Sequence, residues 1–125
     1  MPKTKKYLKL KKIKNGYRCV KFNDQVLITL YMFLDDYCCF KILFRECINN
    51  PAIEKGGGNI THWEKEKNKI IITFDLDDNP YKDAFETTIE ELIRILNHWD
   101  ELHKKMPKKI TMTRYDDTVI LEGKD

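Results

Sequence analysis

Along this chain apolar and polar positions alternate, run together or recur at helical spacing in separate stretches, and each stretch predicts an element. Thr87 to Met106 gives the clearest pattern. Ile89, Leu92, Leu96, Trp99 and His103 recur at intervals of three and four, with Ile93 and Leu102 widening the stripe. That spacing gathers them on one side of a helix. Thr88 followed by Glu91 fits a capping box, in which the hydroxyl takes a free backbone N–H and the glutamate reaches back to the cap. Lys104 and Lys105 suit the negative end of the helix dipole, and Pro107 stops the helix.

The remaining stretches predict strands. Tyr7 to Ile13 and Tyr17 to Phe22 flank Asn15-Gly16, a strong hairpin signal, with Leu8 and Leu10 on one face and lysines opposite. Asn23-Asp24 makes a second turn into Val26 to Leu34, an unbroken apolar run. A helix is possible there, but its β-branched and aromatic content favours a central strand covered on both faces. Asp35-Asp36 turns the chain into Cys38 to Ile48, strand or short helix, with strand preferred. Asn49-Asn50-Pro51 ends that element, and Gly56-Gly57-Gly58 predicts a loop. Ile60 to Lys65 and Lys69 to Leu76 form a hairpin about Lys67-Asn68, closed by Asp77-Asp78-Asn79-Pro80. Ile110 to Arg114 and Thr118 to Glu122 form a last hairpin about Asp116-Asp117. The expectation is one α+β domain over residues 1–125, a mainly antiparallel sheet of six to eight strands packed on one long helix, about 88–106.

Composition adds limits. With 125 residues, 42% of them apolar and 34% charged, the chain has the make-up of a globular protein with a real core. No apolar run reaches membrane-spanning length, and MPKTKKYLKLKK lacks the apolar block of a secretory signal, so no membrane and a cytoplasmic site of action are expected. The net charge of +3 conceals a split: residues 1–60 carry twelve Lys/Arg against five Asp/Glu, residues 61–125 eleven against fifteen. The sharpest basic run is Lys3 to Lys14, and the sharpest acidic one lies between Asp75 and Glu101.

Candidate chemistry is sparse. The chain has no serine, which excludes serine nucleophiles. Cys19, Cys38, Cys39 and Cys47 form no CxxC pair and sit in apolar runs, where small buried thiols are expected rather than a reactive cysteine paired with His62, His98 or His103. His98 and His103 are five apart and share no helix face for a metal; His103 should pack at the end of the stripe and His98 face outward. Asp75, Asp77 and Asp78 could serve a hard cation, but an Asp-rich turn accounts for them as well. The N-terminal lysines, with Tyr7, Tyr17 and Phe22, could meet phosphates and bases, or simply protect an edge strand. No enzyme, cofactor or metal site is expected.

One arrangement does carry a likeness. A hairpin ending in NKIIITFDLDD, then Phe85-Glu86-Thr87-Thr88, then IEELIRILNHWDELH and a terminal hairpin, over residues 59–122, resembles small immunity proteins of bacterial polymorphic-toxin and contact-dependent growth inhibition systems. The resemblance implies a non-catalytic protein that binds a cognate toxin encoded beside it, commonly a nuclease, and covers its active site. No binding residues follow from the resemblance. Charge alone points to Asp75, Asp77, Asp78, Asp83, Glu86 and Glu90, brought together by a short link that returns the helix start over the sheet, as the surface for a basic partner. The alternative is a nucleic-acid-binding domain that uses the basic N-terminal strands.

Overall fold

A computed structural model of the chain describes residues 5–116 and 118–125. Lys3 of the basic run and Asp117 of the last predicted turn lie outside them. The fold is α+β, but it is built from two antiparallel four-stranded sheets and two helices rather than from one sheet on one helix. The strands are β1 (Lys6–Ile13), β2 (Gly16–Phe22), β3 (Lys55–Gly57), β4 (Thr61–Glu66), β5 (Lys69–Phe74), β6 (Phe85–Thr88), β7 (Lys109–Tyr115) and β8 (Thr118–Lys124); the helices are α1 (Gln25–Ile48) and α2 (Ile89–Lys105). The first sheet runs β2-β1-β7-β8 and the second β3-β4-β5-β6.

All three predicted hairpins form. Gly16 supplies a positive φ of 135° at the first turn, and Lys67 and Asp116 adopt left-handed φ of 57° at the other two. On the first sheet Leu8, Leu10, Ile110, Met112, Val119 and Leu121 point inward and are buried; on the second Trp63, Ile70, Ile72, Phe74 and Phe85 do the same. The alternate positions of both sheets face solvent, the pattern of antiparallel sheets covered on one side.

The main correction is α1. Residues 26–48, expected as two strands separated by an Asp35-Asp36 turn, form one helix of 24 residues interrupted only by non-helical backbone at Phe40 (φ −127°, ψ 26°). The physical reason is its position between the sheets. It touches β1 and β2 of the first sheet and β4, β5 and β6 of the second, and a helix enclosed on most sides is apolar on most sides. β-branched content cannot override that burial. Asp36 is therefore not a turn residue. It is buried, and its Oδ2 accepts from Ile60 N (3.0 Å), Thr61 N (3.0 Å) and Thr61 Oγ1 (2.7 Å), tying α1 to the start of β4. Asp24 at the helix start spends both oxygens on Arg114 of β7, at 2.7 and 3.1 Å, and so makes no cap of its own.

The three glycines are a second correction. Gly56 and Gly57 belong to β3, paired with Trp63 and His62. A Cβ on Gly56 would lie 2.6 Å from the Trp63 ring, and one on Gly58 would lie 2.7 Å from the Asp36 carboxylate, so close approach rather than looseness selects glycine here.

α2 follows its predicted span, with Leu92, Ile95, Leu96, Trp99 and Leu102 buried and Ile89 and Ile93 partly so. The Thr88 hydroxyl accepts from Glu91 N at 3.0 Å. Glu91 does not complete the capping box. Its carboxylate takes two hydrogen bonds from Arg94 (2.7 and 2.6 Å), which hold it below its ordinary range, and accepts a third from Val119 N (3.4 Å). A polar network joins the helices: Arg45 donates to Tyr37 Oη, Asn97 and Asp100, while Tyr37 donates to Asp100 at 3.0 Å. Burial is the main reason the Tyr37 hydroxyl is pushed up to about 12.

Candidate functional surfaces

Charge in the folded molecule sorts by sheet rather than by chain half. The solvent face of the first sheet carries Lys9, Lys11, Arg18, Lys21, Lys109 and Lys124, drawn from both ends of the chain, against the single acid Glu122 among the described residues. The solvent face of the second carries Glu64, Glu66, Asp75 and Glu86 with His62, Lys55 and Lys69.

Four of the six predicted acidic positions gather in one place. The chain leaves β5 at Phe74 and makes a loop over residues 75–84 before β6. Asp75 opens it, with Oδ1 2.6 Å from His62 Nδ1. Asp77 accepts the Asn79 N–H at 3.0 Å, which closes an Asx turn, and Asp83 N bonds the Asn79 carbonyl. Thr29, buried on α1, donates its hydroxyl to the Asp83 carbonyl at 2.8 Å and anchors the far end of the loop. Partial burial and a shared hydrogen bond with Asp77 push the Asp83 carboxyl above its ordinary range. Asp78 is exposed.

Glu86 and Glu90 are not part of this cluster. The link from β5 to α2 contains β6, an extra strand absent from the expected arrangement, and β6 runs antiparallel to β5. It carries the helix start away from the loop to the opposite end of the sheet, where Thr88 pairs with Lys69. Glu86 sits midway, opposite Ile71, and leans to Lys69 at 3.9 Å. Glu90 lies beyond it on the first turn of α2.

Charge reasoning missed two side chains. Leu76 is 71% exposed and Tyr81 is 74% exposed, and both stand in the acidic loop. Tyr81 and Pro80 form one wall of a depression of about 670 Å³ on the second sheet, whose other lining includes Gly57, His62, Glu64 and Asp75. A signal was available: NPYKD places an aromatic among turn residues, where no periodic apolar partner can draw it into a core.

The described residues include no group of three or more His, Cys, Asp or Glu side chains arranged to hold a metal ion. Cys38 and Cys39 are exposed on α1 rather than buried, because the helix turns them away from both sheets. Cys38 Sγ lies 4.0 Å from His103 Nε2, yet desolvation leads the causes that push the thiol up, which opposes a thiolate nucleophile. His103 packs its ring 4.5 Å from that of Trp99, and His98 is half-buried rather than fully outward. An apolar cleft of about 110 Å³ lies between α1 and β3, walled by Phe33, Tyr37, Phe44 and Trp63.

No family model, curated protein or solved structure matches this chain. Its surfaces therefore stand on their own geometry. No helix among the described residues is long and apolar enough to cross a membrane.

Proposed function

We propose that this chain is a cytoplasmic immunity protein: it binds a basic toxin domain encoded beside it, of the nucleic-acid-cleaving kind, and neutralises that domain by covering its active site without performing a reaction of its own. The observation that supports this reading best is the loop over residues 75–84. Two of the most exposed large apolar side chains in the molecule, Leu76 and Tyr81, stand there among Asp75, Asp77, Asp78 and Asp83. An exposed aromatic anchor ringed by charge is the composition of a protein-binding hot spot. Carboxylates of one sign around it steer encounter with a basic surface and set orientation, while the apolar anchors supply the desolvated centre. A nuclease groove must be basic to hold its substrate, so this loop matches it in sign.

The reading refines the six-residue surface. Asp75, Asp77, Asp78 and Asp83 are assigned to the interface, and Glu86 and Glu90 are left outside it. The test is co-purification of the chain with the toxin domain encoded next to it. Asp77→Lys with Asp78→Lys, and separately Tyr81→Ala, should weaken the complex at least tenfold with the circular dichroism spectrum unchanged. Glu86→Lys with Glu90→Lys should change affinity less than threefold. A neighbouring gene without a toxin domain, or a complex indifferent to the loop substitutions, overturns the proposal.

A further inference from the structure

The solvent face of the first sheet has a property that neither folding nor the acidic loop explains. Arg18 pairs with Lys11, Lys11 with Lys109, and Lys109 with Lys124, so four cations stand directly opposite one another in a single row across all four strands. All four are exposed. Like charges opposed across a ladder repel, so each pair works against the sheet. Among the described residues none of the four, nor Lys9 one row along, has an acidic partner within ion-pair distance. Protection of an edge strand does not account for Lys11 and Lys109 either. β1 and β7 are the two central strands of the sheet, and the lysines at the middle of the row belong to them.

The row also borders a depression of about 560 Å³ lined by Lys9, Lys11, Arg18, Lys109 and Lys124 together with Val20. Tyr7 lies on the same face, with Lys9 Nζ 5.6 Å from its ring centre, and Val20 is 50% exposed. At about 4.8 Å between strands, the row spans roughly 14 Å, enough for a few successive backbone phosphates.

We infer that this face binds a nucleic-acid strand, its phosphates along the Arg18–Lys11–Lys109–Lys124 row and its bases towards Tyr7 and Val20. A groove of aligned cations with an aromatic at its side is how sequence-tolerant single-strand binders hold their ligand. A recessed floor suits a narrow linear polyanion better than the plane of a lipid surface. The inference is independent of the acidic loop, which belongs to the other sheet.

The test uses the full chain and a labelled 20-nucleotide single-stranded DNA, titrated by fluorescence polarisation at 50 and 200 mM salt. Five phosphate contacts, the four of the row and Lys9 beside it, predict a logarithmic salt slope of about −3.5, so that affinity falls about a hundredfold between the two conditions. Lys11→Gln with Lys109→Gln should reduce the slope to about −2 and the loss to about twentyfold. The same pair should leave the thermal midpoint unchanged or higher, because it removes a repulsion and touches no core residue. Lys104→Gln with Lys105→Gln, an equal change of charge on α2, should leave binding intact. Absence of salt-sensitive binding at 50 mM overturns the inference. So does an equal loss in the α2 control, or capture by phosphatidylglycerol vesicles in place of the oligonucleotide.

Discussion

Replacing Asp36 by alanine should remove the contact that fastens α1 to the second sheet. One buried carboxylate oxygen holds two backbone N–H groups and the Thr61 hydroxyl, and Thr61 is only 1% exposed. A buried donor left without a partner costs about 1–3 kcal/mol. The two Thr61 donors are enclosed, while Ile60 N lies nearer the surface, so the loss should come to about 3–5 kcal/mol. That is a large part of the 5–15 kcal/mol typical of a domain. Asp36→Asn keeps an acceptor of the same size but not its charge; charged acceptors bind about twice as strongly, which puts the loss at about 1–2 kcal/mol. Thr61→Val removes only the hydroxyl donor and leaves Asp36 Oδ2 its two backbone donors, so it should cost about 1 kcal/mol or less. Urea unfolding followed by circular dichroism reads the order directly, with the m-value constant across the series. An alanine variant within 1 kcal/mol of the parent would refute the reasoning, as would an asparagine variant as damaged as the alanine one.

Other expectations concern the ties between elements. Arg114→Ala should cost about 2–4 kcal/mol in thermal unfolding, somewhat under the usual loss for a broken buried pair, because the stranded Asp24 still sits at the positive end of α1. Trp99→Ala should cost about 3–5 kcal/mol, since Trp99 is buried against Tyr17 and His103, whereas Trp99→Phe should cost far less. Burial alone would raise the Asp100 carboxyl, but the hydrogen bonds and charges of Lys41, Tyr37 and Arg45 outweigh it and hold the group below its unfolded value. Its contribution is therefore present above about pH 4 and lost as pH falls through the depressed folded value, so parent and Asp100→Asn should differ in melting temperature at pH 7 and converge in acid.

The hairpins and α2 were legible because their signals are local: a turn pair between alternating runs, a 3.6-residue stripe, a cap and a proline stop. α1 was not, because an apolar run covered on most sides has no clear period to read, and β-branched residues such as Val26, Ile28 and Thr29 spoke for a strand. Length held the answer. Residues 25–48 contain neither glycine nor proline, and strands rarely exceed ten residues. β6 was missed because FETT is four residues long and looks like the approach to a helix, and that one strand decides where Glu86 and Glu90 lie. The basic face was half legible: the N-terminal lysines were conspicuous, but Lys109 and Lys124 join them only through the β1–β7 pairing, which has no local signature. Asp75, Asp77, Asp78 and Asp83 form one loop because they are near in sequence, and the exposure of Tyr81 follows from the same stretch.

The central proposal is that the loop over residues 75–84 neutralises a toxin encoded beside this chain, and growth of a host expressing such a neighbouring toxin domain tests it most directly. The parent chain should restore growth, and Lys11→Gln with Lys109→Gln should restore it equally, since that pair lies on the other sheet. The triple variant Asp77→Lys, Asp78→Lys, Tyr81→Ala, folded by circular dichroism, should fail to protect, as loss of a hot-spot anchor costs about 2 kcal/mol or more before charge reversal is counted. Full protection by that folded triple variant would contradict the account.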